Sequence, residues 1–194
     1  MKQDNRGLSL IELIVVIAIM AIMIGVGILS ISLLFGTQAR GCAQKVSSML
    51  NETKTGCLSR YNETMTIAYR TKGQDGEEAY TTNGYYAINR VYTINKEAVS
   101  VPIGGPDSSE IRALGSGKVV IVVYLSDGSS VELGTDNYVT ISYNRATGAF
   151  ASAVVGTPMG ETTYDHIKEI TFSSGARTYK ITMFKETGTH SLEG

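Results

Sequence analysis

The chain has 194 residues, of which 43% are hydrophobic, and its 17 basic and 18 acidic side chains give a formal net charge of −1. No basic patch or arginine-rich segment indicates nucleic acid as a main partner. One apolar segment near the N-terminus raises the mean hydropathy to +0.03, and the remainder is polar and rich in glycine and tyrosine. That remainder is long enough for one domain with its own core and too short for two.

The N-terminal part is organised around one apolar run, residues 8–35, in which Glu12 is the only charge: LSLIELIVVIAIMAIMIGVGILSISLLF. The 23 uncharged residues from 13 to 35 make about 34 Å of α-helix, which matches the hydrocarbon core of a bilayer. The sequence therefore predicts a membrane-spanning helix. An ionised carboxylate inside lipid costs at least a few kcal/mol unless it is paired, so Glu12 requires a partner.

A short polar segment, residues 1–7, precedes this run and contains Lys2 and Arg6. Basic residues beside a membrane span favour the cytoplasmic side. We therefore expect the N-terminus inside the cell, with the helix pointing outward. The apolar run is longer than that of an ordinary secretory signal.

The junction between the two segments resembles the N-terminal signature of type IV pilins and pseudopilins, on the residues Arg6-Gly7-Leu8-Ser9-Leu10-Ile11-Glu12-Leu13. The resemblance implies cleavage between Gly7 and Leu8 by a prepilin peptidase and N-methylation of Leu8 by the same enzyme. It also implies that Glu12 pairs with the N-terminal amine of a neighbouring subunit during assembly. An assembly ATPase and a membrane platform protein are the further partners that the family implies.

One departure from the family pattern is the lack of a proline late in the apolar run. Gly25 and Gly27 weaken the helix there, since glycine costs roughly 1 kcal/mol of helical preference relative to alanine. Close packing between helices is the other reading of these two small residues. Both interpretations stay open.

Beyond Phe35 the pattern becomes amphipathic, with apolar or small residues at spacings of three and four. These residues are Ala39, Cys42, Val46, Met49, Leu50, Thr53 and Cys57. The helix is therefore expected to continue to about Arg60, with this stripe covered by a sheet. Cys42 and Cys57 would lie about 22 Å apart on it, too far for a disulfide, and are expected as buried thiols.

The rest of the chain alternates short β-type runs with glycine turns, which favours antiparallel pairing. The predicted strands are residues 65–70, 85–94, 118–125, 130–133, 138–143, 149–155, 169–172 and 178–184. The run 118–125 is apolar on both faces, as in a central strand. The segments 139–150 and 170–188 resemble hairpins in the globular domains of Gram-positive pilins and are expected at sheet edges. Residues 187–194 are expected to form an exposed tail.

Chemistry-bearing residues are sparse, and the sequence predicts no catalytic residue, no cofactor and no metal site. His166 and His190 are expected at the solvated surface. Calcium ligation is the weak alternative for four carboxylates without the spacing of a dedicated loop: Asp107, Glu110, Asp127 and Asp136.

The fold class expected from these elements is α+β, a pilin-like ladle with a leader (residues 1–7), a long helix (8–60, spanning the membrane at about 13–35) and an extracellular β-rich domain (61–194). The expected function is a structural subunit, not an enzyme, that is processed in the cytoplasmic membrane and assembles with itself into a cell-surface filament. The lipid bilayer is then a partner of the precursor. The alternatives are a pseudopilin of a type II secretion or DNA-uptake system, and a membrane-anchored extracellular binding domain that acts as a monomer.

Overall fold

The structure is a computed structural model that describes residues 10–59, 61–70, 85–94, 97–102, 115–116, 119–135 and 137–194. For residues 25–36, 61–62, 70, 85, 92–94, 97–102 and 115–116 it describes only the backbone.

A single helix, α1 (Leu10–Ser59), makes up the N-terminal part and is 50 residues long. The corresponding length is about 75 Å. No proline interrupts it, so the backbone hydrogen-bond ladder runs without a forced break. The helix was expected over residues 8–60, of which Leu8, Ser9 and Arg60 lie outside the described residues.

Twelve strands follow within the described part of the chain. They are β1 (Tyr61–Arg70), β2 (Tyr85–Ile94), β3 (Glu97–Pro102), β4 (Gly115–Ser116), β5 (Val120–Leu125), β6 (Ser130–Glu132), β7 (Tyr138–Tyr143), β8 (Phe150–Thr157), β9 (Gly160–Tyr164), β10 (Ile167–Ser174), β11 (Arg177–Phe184) and β12 (Thr189–Glu193). All pairings between them are antiparallel, as the alternation of strands and turns predicted.

The described strands form two sheets, where the sequence predicted one. The first has seven strands in the order β3-β2-β1-β7-β8-β9, with β4 on β2, and the second has five in the order β12-β11-β10-β5-β6. Helix α1 packs on both, chiefly on β1 in the first sheet and on β10 and β11 in the second. The α+β prediction is confirmed. The prediction of a single sheet was wrong because period-two patterning shows that a strand has a buried face but not which sheet it joins.

The strands that the sequence did not predict are β3, β4, β9 and β12, all at sheet edges or peripheral. An edge strand with one solvated face needs few apolar residues, and β9 reads Gly-Glu-Thr-Thr-Tyr. The expected exposed tail is β12 instead. The two expected edge hairpins are interior, since β7 and β8 lie between β1 and β9, and β10 and β11 lie between β5 and β12.

Strand β5 is central, as predicted, because it pairs with both β10 and β6. Only one of its faces is fully buried, however. Ile121, Val123 and Leu125 are at 0% exposure, whereas Val120 and Tyr124 are 37% and 40% exposed. The apolar run 118–125 predicted burial of both faces of the strand, and only one face is fully buried.

One continuous core joins the outer part of α1 to the inner faces of both sheets. The helix contributes Ala39, Cys42, Ala43, Val46, Leu50 and Cys57, which confirms the amphipathic stripe. Between the two sheets, the hydroxyl of Tyr86 on β2 donates a hydrogen bond to the carbonyl of Leu133, just after β6 (3.1 Å). Burial raises the pKa of this phenol to about 12, so it remains a donor at any physiological pH.

The terminal hairpin, residues 177–193, packs against the outer part of α1. Gly188 lies at its turn with φ +59°, and a Cβ there would lie 1.8 Å from the carbonyl oxygen of Gly148. Only glycine satisfies both the left-handed backbone and the close approach. The turn thereby contacts the β7–β8 loop, where Phe150 also donates its backbone N–H to the carbonyl of Lys185 (3.0 Å).

Candidate functional site

The predicted assembly residue, Glu12, lies in the first turn of α1 and is exposed. A carboxylate is favoured there because the N-terminal end of a helix carries partial positive charge. Gly7 and Leu8, the predicted processing residues, lie outside the described residues.

The first turns of α1 expose an apolar surface that the other described residues leave uncovered. Every large apolar side chain between residues 10 and 24 is exposed, from Leu10 at 77% to Val16 at 44%. Soluble monomers rarely expose a contiguous apolar patch of this extent, which marks a surface meant for lipid or another protein.

Among the described residues, no helical stretch combines the length and the apolar character that crossing a membrane requires. The span predicted from the sequence, residues 13–35, includes residues 25–35, whose side chains the structure does not describe. The span stays a prediction.

Two polar contacts fix the terminal hairpin to the outer part of α1. Ser47 Oγ and His190 Nε2 are 2.8 Å apart, and Lys54 Nζ donates to the carbonyl of Thr187 at 2.7 Å. Burial lowers the pKa of His190, and the Lys54 charge adds to this effect while the hydrogen bond with Ser47 opposes it. His190 was expected at the solvated surface, and this expectation was wrong because β12 carries it onto the helix.

A charged cluster lies on the other side of the helix, at its C-terminal end. Arg90 on β2 places Nη1 2.5 Å from Glu52 Oε2 and Nε 2.9 Å from Glu63 Oε1. Glu63 is 1% exposed, and its carboxylate fills the space beside Gly56, where a Cβ would lie 1.7 Å from Oε2. The cluster therefore ties the start of β1 and the middle of β2 to the last turns of α1.

Both cysteines are buried and free, as predicted. Burial raises the pKa of Cys42 to about 12, and burial is also the main cause of the raised pKa of Cys57. The Cys57 thiol donates to the carbonyl of Tyr143 at 3.1 Å. Protonated, buried thiols are poor nucleophiles and poor metal ligands.

The candidate calcium ligands are not brought together within the described residues. Asp127 lies in the β5–β6 turn, where its carboxylate accepts hydrogen bonds from the hydroxyl and backbone N–H of Ser129, and these bonds lower its pKa. Asp107, Glu110 and Asp136 lie outside the described residues. Among the described residues, no three metal-ligating side chains lie close enough to hold a metal ion together.

The comparison with protein families decides how the first turns of α1 are to be interpreted. Residues 2–28 match the prokaryotic N-terminal methylation motif. This motif is the signature of type IV pilins and pseudopilins, and the match covers Gly7, Leu8 and Glu12. The methylation motif thus includes the first part of the apolar surface that α1 exposes. No curated protein and no solved structure has significant similarity to the chain.

Sequence reasoning identified the residues of the methylation motif but missed the Arg90 cluster. The sequence did contain a signal for Glu63, since it stands two residues before Met65 and four before Ile67 and so shares their face of a strand. All three side chains are buried in the structure. The strand was predicted to begin only at residue 65, since Glu63 breaks the apolar pattern. No local signal connected Arg90 or His190 with a helix far away in the sequence.

Proposed function

We propose that this chain is the precursor of a type IV pilin-like structural subunit that assembles into a cell-surface filament. The observation that carries the proposal is the methylation motif at residues 2–28, located where α1 begins. The exposed apolar side chains of residues 10–24 are the surface that such a subunit exchanges from lipid to helix-to-helix contact.

In this proposal the precursor lies in the cytoplasmic membrane as a single-pass protein, with residues 1–7 inside and residues 61–194 outside. A prepilin peptidase cuts between Gly7 and Leu8 and methylates the new N-terminus. Before the cut no free amine exists at Leu8, so processing acts as the switch for assembly. An assembly ATPase and a platform protein then move the subunit out of the bilayer.

The role proposed for Glu12 follows from its charge. In lipid an ionised carboxylate is costly unless it is paired, and the amine of Leu8 on a neighbouring subunit provides a pairing that only one axial stagger satisfies. A mispaired stagger leaves a buried charge uncompensated, which is strongly destabilising. Glu12 would thus set the register between subunits.

The test is the intact mass and N-terminal sequence of the chain recovered from membranes and from sheared surface material of producing cells. We expect a chain that begins at methylated Leu8 in both fractions. A chain that begins at Met1 in cells with an active prepilin peptidase would contradict the proposal and favour the anchored monomer. Long surface filaments would distinguish a pilus subunit from a pseudopilin.

A second experiment tests Glu12 separately from processing. Glu12→Ala should be cut after Gly7 as in the wild type but should be lost from the sheared filaments. The matched control is Glu132→Ala, which removes an exposed carboxylate from β6 and should assemble normally. Normal assembly of Glu12→Ala would rule out the proposed pairing.

A further inference from the structure

Strand β12 provides a scale for how far the body reaches along α1. His190 on this strand contacts Ser47 at 2.8 Å, whereas Thr187, in the turn before the strand, contacts Lys54. β12 therefore runs toward the N-terminal end of the helix. Its last residue, Glu193, is three residues beyond His190, which corresponds to about 10 Å of strand or about seven residues of helix. The end of β12 is thus level with about residue 40 of α1.

The hairpin formed by β10 and β11 reaches further in the same direction. Lys180 on β11 is the partner of Glu193, and Arg177, at the start of β11, is about 10 Å beyond Lys180. The hairpin tip, residues 175–178, is exposed and is level with about residue 34 of the helix. Among the described side chains of α1, the first that is buried is Ala39. The hairpin tip therefore overhangs the body on the side of the predicted span.

This level coincides with the outer surface of the membrane in the proposed function. The predicted span ends at Phe35, and the headgroup layer adds about 5–7 Å on each side of the hydrocarbon core. Arg177 is then close to the inner limit of this layer. Arg40 follows Phe35 by five residues, or about 7.5 Å of helix, and is close to the outer limit. Both arginines are exposed.

Both guanidinium groups are available to an anion. Neither Arg40 nor Arg177 forms an ion pair with another described residue. Among the described residues of the second sheet, the carboxylates nearest to the hairpin tip are Glu132 and Glu193, which stand in the row of Lys180. That row is about 10 Å further from the bilayer than Arg177, and Lys180 lies 3.7 Å from the carboxylate of Glu193. Arg177 thus precedes these carboxylates on the way to the membrane.

We infer that Arg40 and Arg177 bind the phosphates of anionic phospholipids in the outer leaflet, so that the body of the anchored precursor rests on the bilayer. The planar, always charged guanidinium matches the geometry of a phosphate. Near an anionic membrane surface, each arginine strengthens binding about fivefold, and salt screens the attraction. The inference rests on the proposed function, in which residues 13–35 span the membrane. A contact of this strength orients the body and still allows the subunit to leave the bilayer.

The test uses the full chain in lipid nanodiscs, with a polarity-sensitive label at either end of the body. Ala176→Cys places the label at the hairpin tip, and Ala146→Cys places it in the exposed loop between β7 and β8, at the opposite end. Cys42 and Cys57 are buried and should not react. Quenching by acrylamide, a neutral solute, measures the exposure of each label to water. The nanodiscs contain phosphatidylcholine alone or equal parts of phosphatidylcholine and phosphatidylglycerol.

In the anionic nanodiscs, the label at position 176 should be quenched severalfold less than the label at position 146. The protection should disappear in phosphatidylcholine alone and in high salt. Arg40→Gln and Arg177→Gln should each lower the ratio of protected to unprotected tips about fivefold, and together about 25-fold. Lys168→Gln is the matched control, because it removes an exposed charge near the other end of β10 and should leave the protection unchanged.

The membrane contact and the proposed function fail differently. Equal quenching at positions 176 and 146 in anionic nanodiscs, for a chain that cells cut after Gly7 and assemble, would overturn the contact and leave the filament proposal intact. Protection that persists in high salt, in phosphatidylcholine alone or in the variant without both arginines would also overturn it, since apolar contact then holds the tip. A chain that does not insert into nanodiscs overturns both.

Discussion

At the residue scale, two glycines on α1 differ in what surrounds them. A Cβ at Gly56 would lie 1.7 Å from the carboxylate of Glu63, whereas a Cβ at Gly41 meets nothing within 4 Å. Glu63 is buried and held by Arg90, so it cannot move aside without breaking a buried ion pair. The same substitution is therefore expected to act in opposite directions at the two positions.

We expect Gly56→Ala to lower the free energy of unfolding by about 2 kcal/mol or more, through overpacking and loss of the ion pair. Gly41→Ala is expected to raise it by ~0.5–1 kcal/mol, because alanine is the better helix former. Denaturant unfolding of the purified chains measures both. A stabilising Gly56→Ala would show that Glu63 is not confined.

Because the pKa of His190 is lowered in the folded chain, the free energy of unfolding should fall on acidification. Between the ordinary histidine value of 6.5 and the lower folded value, the unfolded chain binds more protons than the folded chain, so stability rises with pH. The stabilisation is complete above pH 6.5 and is lost as the pH falls through the folded pKa.

On acidification from pH 7.5 to pH 5, the wild type should therefore lose more stability than His190→Gln, which cannot take up the proton. Thermal unfolding of both chains across this range measures the difference. Near pH 8 His190 is neutral in both the folded and the unfolded chain, so the difference in stability between the wild type and His190→Gln should no longer depend on pH. Parallel curves at all pH values would mean that His190 titrates as in the unfolded chain.

At the element scale, β12 is a short polar strand with a large structural role. It pairs with β11 at five positions and carries His190 onto α1. Truncation after Gly188 should lower the free energy of unfolding by several kcal/mol, at about 1 kcal/mol net for each backbone hydrogen bond lost. Limited proteolysis should then cut the body quickly. Removal of Gly194 alone is the control and should have little effect.

The sequence was informative about elements whose pattern is local. The bounds of β2 and β7 agree with the predicted residues 85–94 and 138–143, and the stripe on α1 is buried as expected, because periodicity in a single segment determines which face is apolar. Edge strands such as β9 and β12 escaped prediction because half of their surface is solvated. The division into two sheets depends on pairing between distant segments, which no local pattern encodes.

The residues of the candidate site also divide into those with a local sequence signal and those without one. Gly7, Leu8 and Glu12 could be proposed from the sequence because the methylation motif that residues 2–28 match is a local pattern. The Arg90 cluster was missed because Arg90 lies on a strand 38 residues away from Glu52 in the sequence, and only the fold brings the two side chains together.

At the scale of the whole molecule, the described residues form a body held together without disulfides. Thiol reagents should therefore label neither Cys42 nor Cys57 in the native chain, because both are buried and their pKa values are raised by burial. Both should react fully in denaturant. Mass spectrometry after a short pulse of iodoacetamide measures this, and rapid labelling under native conditions would contradict the core described above.

The contact between Ser47 and His190 joins residues 143 positions apart, and it has a consequence for synthesis. The helix leaves the ribosome long before β12, the strand at the edge of the second sheet that contacts it. Contacts of such long range form late in folding and leave apolar surface exposed until they do. The part of α1 that packs on β10, β11 and β12 therefore stays uncovered until these strands have been made. A chain that ends before residue 189 would expose the part of α1 that β12 contacts, and we expect proteases to cut it faster than the complete chain.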